Sequence, residues 1–227
     1  MALPNRSGFS GGPLLKGSSV PNRPIQLSLL VTALVLGFGA FLSRFAGTFL
    51  KVNSAKASDL VIVLSGADNY NRVARGINML EHGYAHQLLI DERADIQVYG
   101  YNRAELAEEF VRDASPETAG RMQVCRIEGD SLFGEARNVR ACLCRVRVQT
   151  ILLLVRDFQS RRAQLIFTRV LSEYKLTVAP VGNPEELETT WWENREWAKN
   201  TATEWLRLIW WLSIDSWRKP EAIASSR

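Results

Sequence analysis

DLVIVLSGAD, residues 59–68, decides the fold. From Leu60 to Leu64 the run is continuously apolar and rich in β-branched residues. A strand with one wet face would alternate, so an unbroken run marks a strand buried on both sides, as in a parallel sheet. It stops at Ser65-Gly66, where glycine allows a tight turn, and Asp68 can cap a following helix. TILLLV, residues 150–155, repeats the pattern.

The segments around these two strands complete an alternation. Asn69 to His82 has helical spacing through Val73, Ile77 and Leu80 and halts at Gly83. Residues 87–90 form a second short apolar strand, 102–113 a helix, 122–127 a third strand and 131–145 a helix. After the fourth strand, 150–155, residues 160–173 read as a helix with Ala163, Ile166, Phe167 and Val170 on its apolar face, and 175–179 as a fifth strand. Five strands alternating with four helices predict an α/β domain over residues 57–182: a doubly wound, Rossmann-like parallel sheet with right-handed crossovers.

Outside this domain the composition changes. Residues 1–24 are rich in Gly, Pro, Ser and Asn without hydrophobic period, which predicts a disordered tail. IQLSLLVTALVLGFGAFL, residues 25–42, carries no charge, and snorkelling of Arg44 extends it to give a transmembrane helix over 25–48. A buried core helix would show a broader polar stripe than Gln26, Ser28 and Thr32. A cleaved signal would have a shorter core and a small-residue site directly after it, and Ala55-Lys56-Ala57 is a weak, distant candidate. A single-pass anchor in the lipid bilayer is the reading adopted. Arg6, Lys16 and Arg23 before the span balance Arg44, Lys51 and Lys56 after it, so charge does not orient it.

At the other end, residues 185–217 hold all seven tryptophans. Trp197, Trp205 and Trp211, with Leu208 and Leu212, approximate helical spacing, and tryptophan suits a surface that is apolar on one side and wet on the other. This segment is expected to pack on the domain as a Trp-rich helix and to touch lipid or the anchor. Glu204, Arg207 and Asp215 argue against a second span. Residues 218–227 read as a second disordered tail.

Composition narrows the function classes. With 46% hydrophobic and 23% charged residues the chain is a folded protein. A net charge of +4 without a basic run gives no arm for nucleic acid, and no nucleic-acid partner is expected. The three cysteines, Cys125, Cys142 and Cys144, include no CxxC pair, and 142 and 144 point to different helix faces. Buried small hydrophobes are expected rather than a disulfide framework or a metal site. His82 and His86 are the two histidines, few for zinc.

In doubly wound folds ligands bind beyond the strand C-termini, so the polar residues there are the candidates. Ser65, Gly66 and Asp68 follow the first strand, with Arg72 in the next helix. There is no GxGxxG and no GxxxxGK[ST], so neither a dinucleotide nor a P-loop nucleotide is supported and no cofactor is identified. Asp91-Glu92-Arg93 follow the second strand. Glu128 precedes Ser131, the expected cap of a helix that has Glu135 in its first turn, and Glu128 and Glu135 could converge as paired carboxylates or simply complement the helix dipole. Arg156-Asp157-Phe158-Gln159-Ser160-Arg161-Arg162 follow the fourth strand. Glu128, Glu135 and Asp157 are candidate catalytic groups. Ser65, Gly66, Asp68, Arg72, Asp91, Ser131, Gln159 and Arg162 are candidate ligand-binding groups.

Taken in order, these pieces resemble the YdcF-like domain family, which includes the SanA and ElyC envelope proteins, over about residues 59–180. DLVIVLSGAD resembles its first-strand motif. Arg72, Leu80, Gly83 and Ala85 fit an RxxxAxxLxxxG-like stretch, and Glu105 falls where the family carries a Glu. Glu128, Ser131, Glu135 and Ala136 resemble E-x-x-S followed by an E-A pair. RDFQSRRAQLIF, residues 156–167, resembles T-S-x-x-H-x-x-R-A. The departures are Val155 and Arg156 for Thr-Ser, Gln159 for His, Leu132 for Thr, and Asp91-Glu92-Arg93 for Ser-Gly-Gly.

The resemblance implies a membrane-anchored, extracytoplasmic domain in cell-envelope maintenance. Such a domain would bind or act on an anionic small molecule or envelope precursor, with Arg162 pairing with the anion. Gln cannot act as a general base near neutral pH. The alternative is therefore a non-catalytic, membrane-tethered binding or scaffold protein.

Overall fold

The computed structural model describes residues 23–66, 69–129, 131–144, 146–182 and 191–217. The expectations for residues 1–22, Asp68, 185–190 and 218–227 lie outside the described residues.

Helix α1, Arg23–Leu50, includes the last two residues assigned to the N-terminal tail and runs two residues past the expected span. Its 28 residues measure about 42 Å at 1.5 Å per residue, enough to cross a hydrocarbon layer of about 30 Å. The chain divides between Phe41 and Leu42 into two compact units. In the first, the side chains of residues 24–41 are all exposed, as expected of a helix that is apolar all round.

The second unit carries the sheet. Strands β1 (Ser58–Val63), β2 (Ala85–Arg93), β5 (Met122–Ile127), β6 (Thr150–Val155) and β7 (Lys175–Pro180) are all parallel, in the order β5-β2-β1-β6-β7. A short antiparallel pair, β3 (Gln97–Val98) and β4 (Tyr101–Asn102), interrupts the connection after β2 and has no counterpart in the sequence reading. Helices α2 (Asn69–Glu81) and α3 (Arg103–Asp113) cover one face, packed on Val61, Val63, Leu88, Ile90 and Leu154. A single turn, α4 (Pro116–Ala119), leads into β5. Helices α5 (Leu132–Leu143), α6 (Ser160–Val170) and α7 (Arg195–Ser213) lie on the other, with Phe167 and Trp211 against Leu60, Ile62 and Leu153. The α/β, doubly wound reading is thus correct, and the apolar face expected for α6 is the buried one.

Two local expectations are corrected. Strand β2 does not stop at Ile90 but runs to Arg93, in register with β5 through Asp91↔Cys125 and Glu92↔Arg126. At its acidic end Glu92 pairs with Arg103, and Asp91 is buried beside Glu135. The cysteines were read as unpaired, yet Cys125 and Cys142 form a disulfide, with Cα atoms 6.0 Å apart, that ties β5 to α5. The face argument rightly separated Cys142 from Cys144, which is free and exposed. It did not consider the strand that α5 packs on, where Cys125 waits.

The segment after α1 is not a loose linker. Ser160 Oγ accepts the Val52 amide (2.8 Å), the Ser54 amide donates to the Val178 carbonyl (2.8 Å), and Lys51 Nζ pairs with Asp157 at 2.9 Å. Phe49 stacks on Trp205 at 5.1 Å, the Trp205 indole donates to the Ala46 carbonyl (3.1 Å), and the Arg161 guanidinium lies 4.0 Å over the Phe49 ring. The last turns of α1 and residues 51–54 are therefore built into the α/β domain.

Candidate functional site

The chain leaves β1 toward β2 and β5, then returns to place β6 on the other side of β1. Loops leaving β1 and β6 diverge to opposite faces and open a crevice at the C-terminal edge, the switch point where doubly wound folds bind ligands. A cavity of about 530 Å³ occupies this position. Its walls are Asn71 and Arg72 from α2, Arg156 to Phe158 after β6, Val181 and Gly182 after β7, and Glu196, Trp197 and Asn200 from the first turns of α7.

Arg72 is almost fully buried. It sits under the turn after β1, where Gly66 has φ +136° and a Cβ would lie 3.2 Å from Arg72 Nη2. Only glycine suits that backbone and that approach. Arg156 is half-buried, with its guanidinium 5.8 Å from the Phe158 ring centre. Asp157 is 3% exposed. Its Oδ2 takes Lys51, while its Oδ1 accepts no hydrogen bond from the described residues. A Cβ at position 182 would come within 3.1 Å of that oxygen, so Gly182 lets the backbone close over it. The cavity thus offers two guanidinium groups and one buried acceptor.

Beyond β1, on the β2 side, a smaller cavity of about 350 Å³ is lined by Ile90, Glu92 and Arg103, and the carboxylates behind it are engaged within the protein. Glu135 Oε1 accepts both the amide (3.0 Å) and the hydroxyl (2.9 Å) of Ser65. Asp91, with no exposed surface, lies beside Glu135. Burial, followed by the nearby Glu135 and Glu92, pushes the Asp91 carboxyl well above the ordinary carboxylate range, and Arg72 opposes this. A neutral acid at this position avoids burying a second negative charge beside Glu135. Glu92 pairs with Arg103 at 3.1 Å, and Arg103 also donates to the Gly66 carbonyl (3.1 Å). These contacts hold the turn that positions Arg72.

The candidates from the sequence therefore separate. Gly66, Arg72 and Asp157 are at or against the cavity, and Ser65, Asp91 and Glu135 form the support behind it. The carboxyl found beside Glu135 is that of Asp91; Glu128 is exposed at the end of β5 and offers its backbone carbonyl to Asn138 (3.2 Å). Ser131 caps α5 as expected, accepting the Gly134 amide (3.0 Å). Gln159 lies in the half-buried turn before α6 and is not among the cavity walls. Arg162, expected to meet an anion, is held by Glu204 of α7 through two hydrogen bonds, both side chains being buried. Its anion is supplied by the protein.

Arg156 and Lys51 were not singled out. The strand-end rule would have found Arg156; no local signal marks Lys51, which reaches Asp157 only because the end of α1 folds onto α6. Among the described residues no group of three or more His, Cys, Asp or Glu side chains is arranged to hold a metal ion. Comparison with family models, curated proteins and solved structures gave no match.

Proposed function

We propose that this chain is a membrane-anchored protein whose α/β domain binds an anionic small molecule that also carries hydroxyl groups, such as a sugar phosphate, in the β1/β6 crevice. The observation that carries this reading is the 530 Å³ cavity with Arg72 and Arg156 on its walls and a buried, unoccupied acceptor at Asp157 Oδ1. Guanidinium groups hold phosphate or carboxylate with directed, charge-assisted bonds, and the carboxylate oxygen selects a donor on the same ligand. Binding without turnover is favoured, because Glu135 is engaged by Ser65 and Asp157 by Lys51. The Cys125–Cys142 disulfide supports an oxidising, extracytoplasmic location, since such bonds persist outside the reducing cytosol. The likeness of its motifs to the YdcF-like family supports a role in the cell envelope.

The test is calorimetric titration of the detergent-solubilised full chain with inorganic phosphate and with a hexose phosphate, beside Arg156→Ala. Binding of the hexose phosphate, weakened about 10- to 100-fold in the variant for the loss of a charge-assisted bond of about 1.5–3 kcal/mol, supports the reading. No heat with either probe, or equal affinity in the variant, overturns it.

A further inference from the structure

Helix α7 turns one face to the domain and leaves another uncovered. Thr201, Glu204, Leu208 and Trp211 are buried against the core. At 100° per residue, Ala202, Trp205, Leu206, Ile209, Trp210, Leu212 and Ser213 share an arc of about 160° on another side. No charged residue falls on that arc from Ala202 to Ser213. Leu206 is 69% exposed, Trp210 58% and Ile209 52%, far more than scattered surface hydrophobes need be when adjacent. At the N-terminal end of the same arc stand Arg195 and Lys199, both exposed.

We propose that this arc lies in the interface of the same bilayer that α1 crosses, so that the domain rests on the membrane as well as hanging from it. The proposal rests on the reading of α1 as a span and is independent of what the crevice binds. Continuity selects lipid over a protein partner. Trp205, inside the arc, donates to the Ala46 carbonyl and stacks on Phe49, and these residues form the last turns of α1. Phe45 and Phe49 are themselves about half exposed, so the end of α1 and the α7 arc present apolar surface on either side of the Phe49–Trp205 stack. An apolar arc with tryptophans and with basic residues at its margin is the composition of a helix lying in the headgroup boundary.

The experiment uses the full chain, one copy per nanodisc of phosphatidylcholine and phosphatidylglycerol, with and without brominated acyl chains, reading tryptophan quenching. Trp205 and Trp210 are the tryptophans of the arc, so Trp210→Phe removes about half of the bromine-quenchable emission. Trp192→Phe, away from α7, leaves it unchanged. Both are conservative changes at half-exposed or exposed positions, and circular dichroism confirms that they fold. Quenchable emission that is equal in wild type and Trp210→Phe overturns the proposal. Shielding of Trp210 that appears only with two copies per disc assigns the arc to a second copy and overturns it equally.

Discussion

At the β2 and β5 side of the sheet's C-terminal edge, Asp91, Glu92 and Glu135 turn inward and are met by one another, by Ser65 and by Arg103. At the β6 and β7 side, Arg156 and Asp157 face open space. Both sides follow the same rule of strand ends, and in the sequence both look like clusters of polar residues after apolar runs. What separates them is access: Arg156 and Asp157 line a cavity of about 530 Å³, and Asp157 keeps one oxygen without a hydrogen bond from the described residues. Charge buried away from that cavity serves the architecture; charge on the cavity wall is what a ligand can use. Arg162 belongs with the first group although its motif placed it in the second.

The largest effect should come from breaking that assignment at Arg162. Arg162→Ala leaves Glu204, 1% exposed, without its two-pronged partner. Arg207 Nη1, at 3.9 Å and mostly solvated, is a weak substitute. The expected cost is about 3–5 kcal/mol in urea unfolding of the full chain, while exchanging both residues for Met and Leu restores most of the stability. Phosphate affinity of the folded protein stays unchanged. Lost affinity with unchanged stability would return Arg162 to the ligand site.

The next effect tests how firmly the β2 side is held. Cys125 is the register partner of Asp91, so the disulfide to Cys142 ties α5, which carries Glu135, to the strand beside Asp91. Removing both cysteines, which also prevents Cys144 from replacing Cys142, should cost about 3 kcal/mol for a loop of this length. In a protein of this size that lowers Tm by about 6–12 °C. The cavity side, which the disulfide does not touch, should keep its affinity below the transition. An equal loss of binding would mean that the two sides are one cooperative site.

Much of this division was beyond the sequence. The five strands and the helices between them were legible because apolar runs and helical spacing are local, and β5 and β6 fall at the residues expected. The end of β2 was not, because a strand containing Asp91 and Glu92 is stable only when Glu135 and Arg103, from distant segments, arrive to meet them. The same holds for Cys125 with Cys142 and for Lys51 with Asp157: each partner comes from another element, and residue type alone gives no distance. Gly66 was legible as a turn, yet its close approach to Arg72 needed the tertiary packing. The strand-end rule located the site; only side-chain geometry told which of its residues are spoken for.

The pH-dependent effect is the most discriminating for the acid pair. Asp91 holds its proton in the folded protein at pH values where the unfolded chain has released it, because its folded pKa is raised. As pH climbs past the ordinary value near 3.8, the unfolded state gains the freedom to ionise and the folded state does not, so Asp91 subtracts stability with rising pH until it too ionises. Asp91→Asn removes the titration. The variant should gain on wild type by at most about 1.4 kcal/mol for each pH unit above that point, levelling off where folded Asp91 loses its proton. Urea midpoints of both proteins from pH 4 to 8 give the difference directly, with the other carboxylates cancelling. A difference that is flat with pH would mean that Asp91 is ionised in the folded state, and the β2 side would then hold a negative charge behind Arg72 rather than a neutral acid.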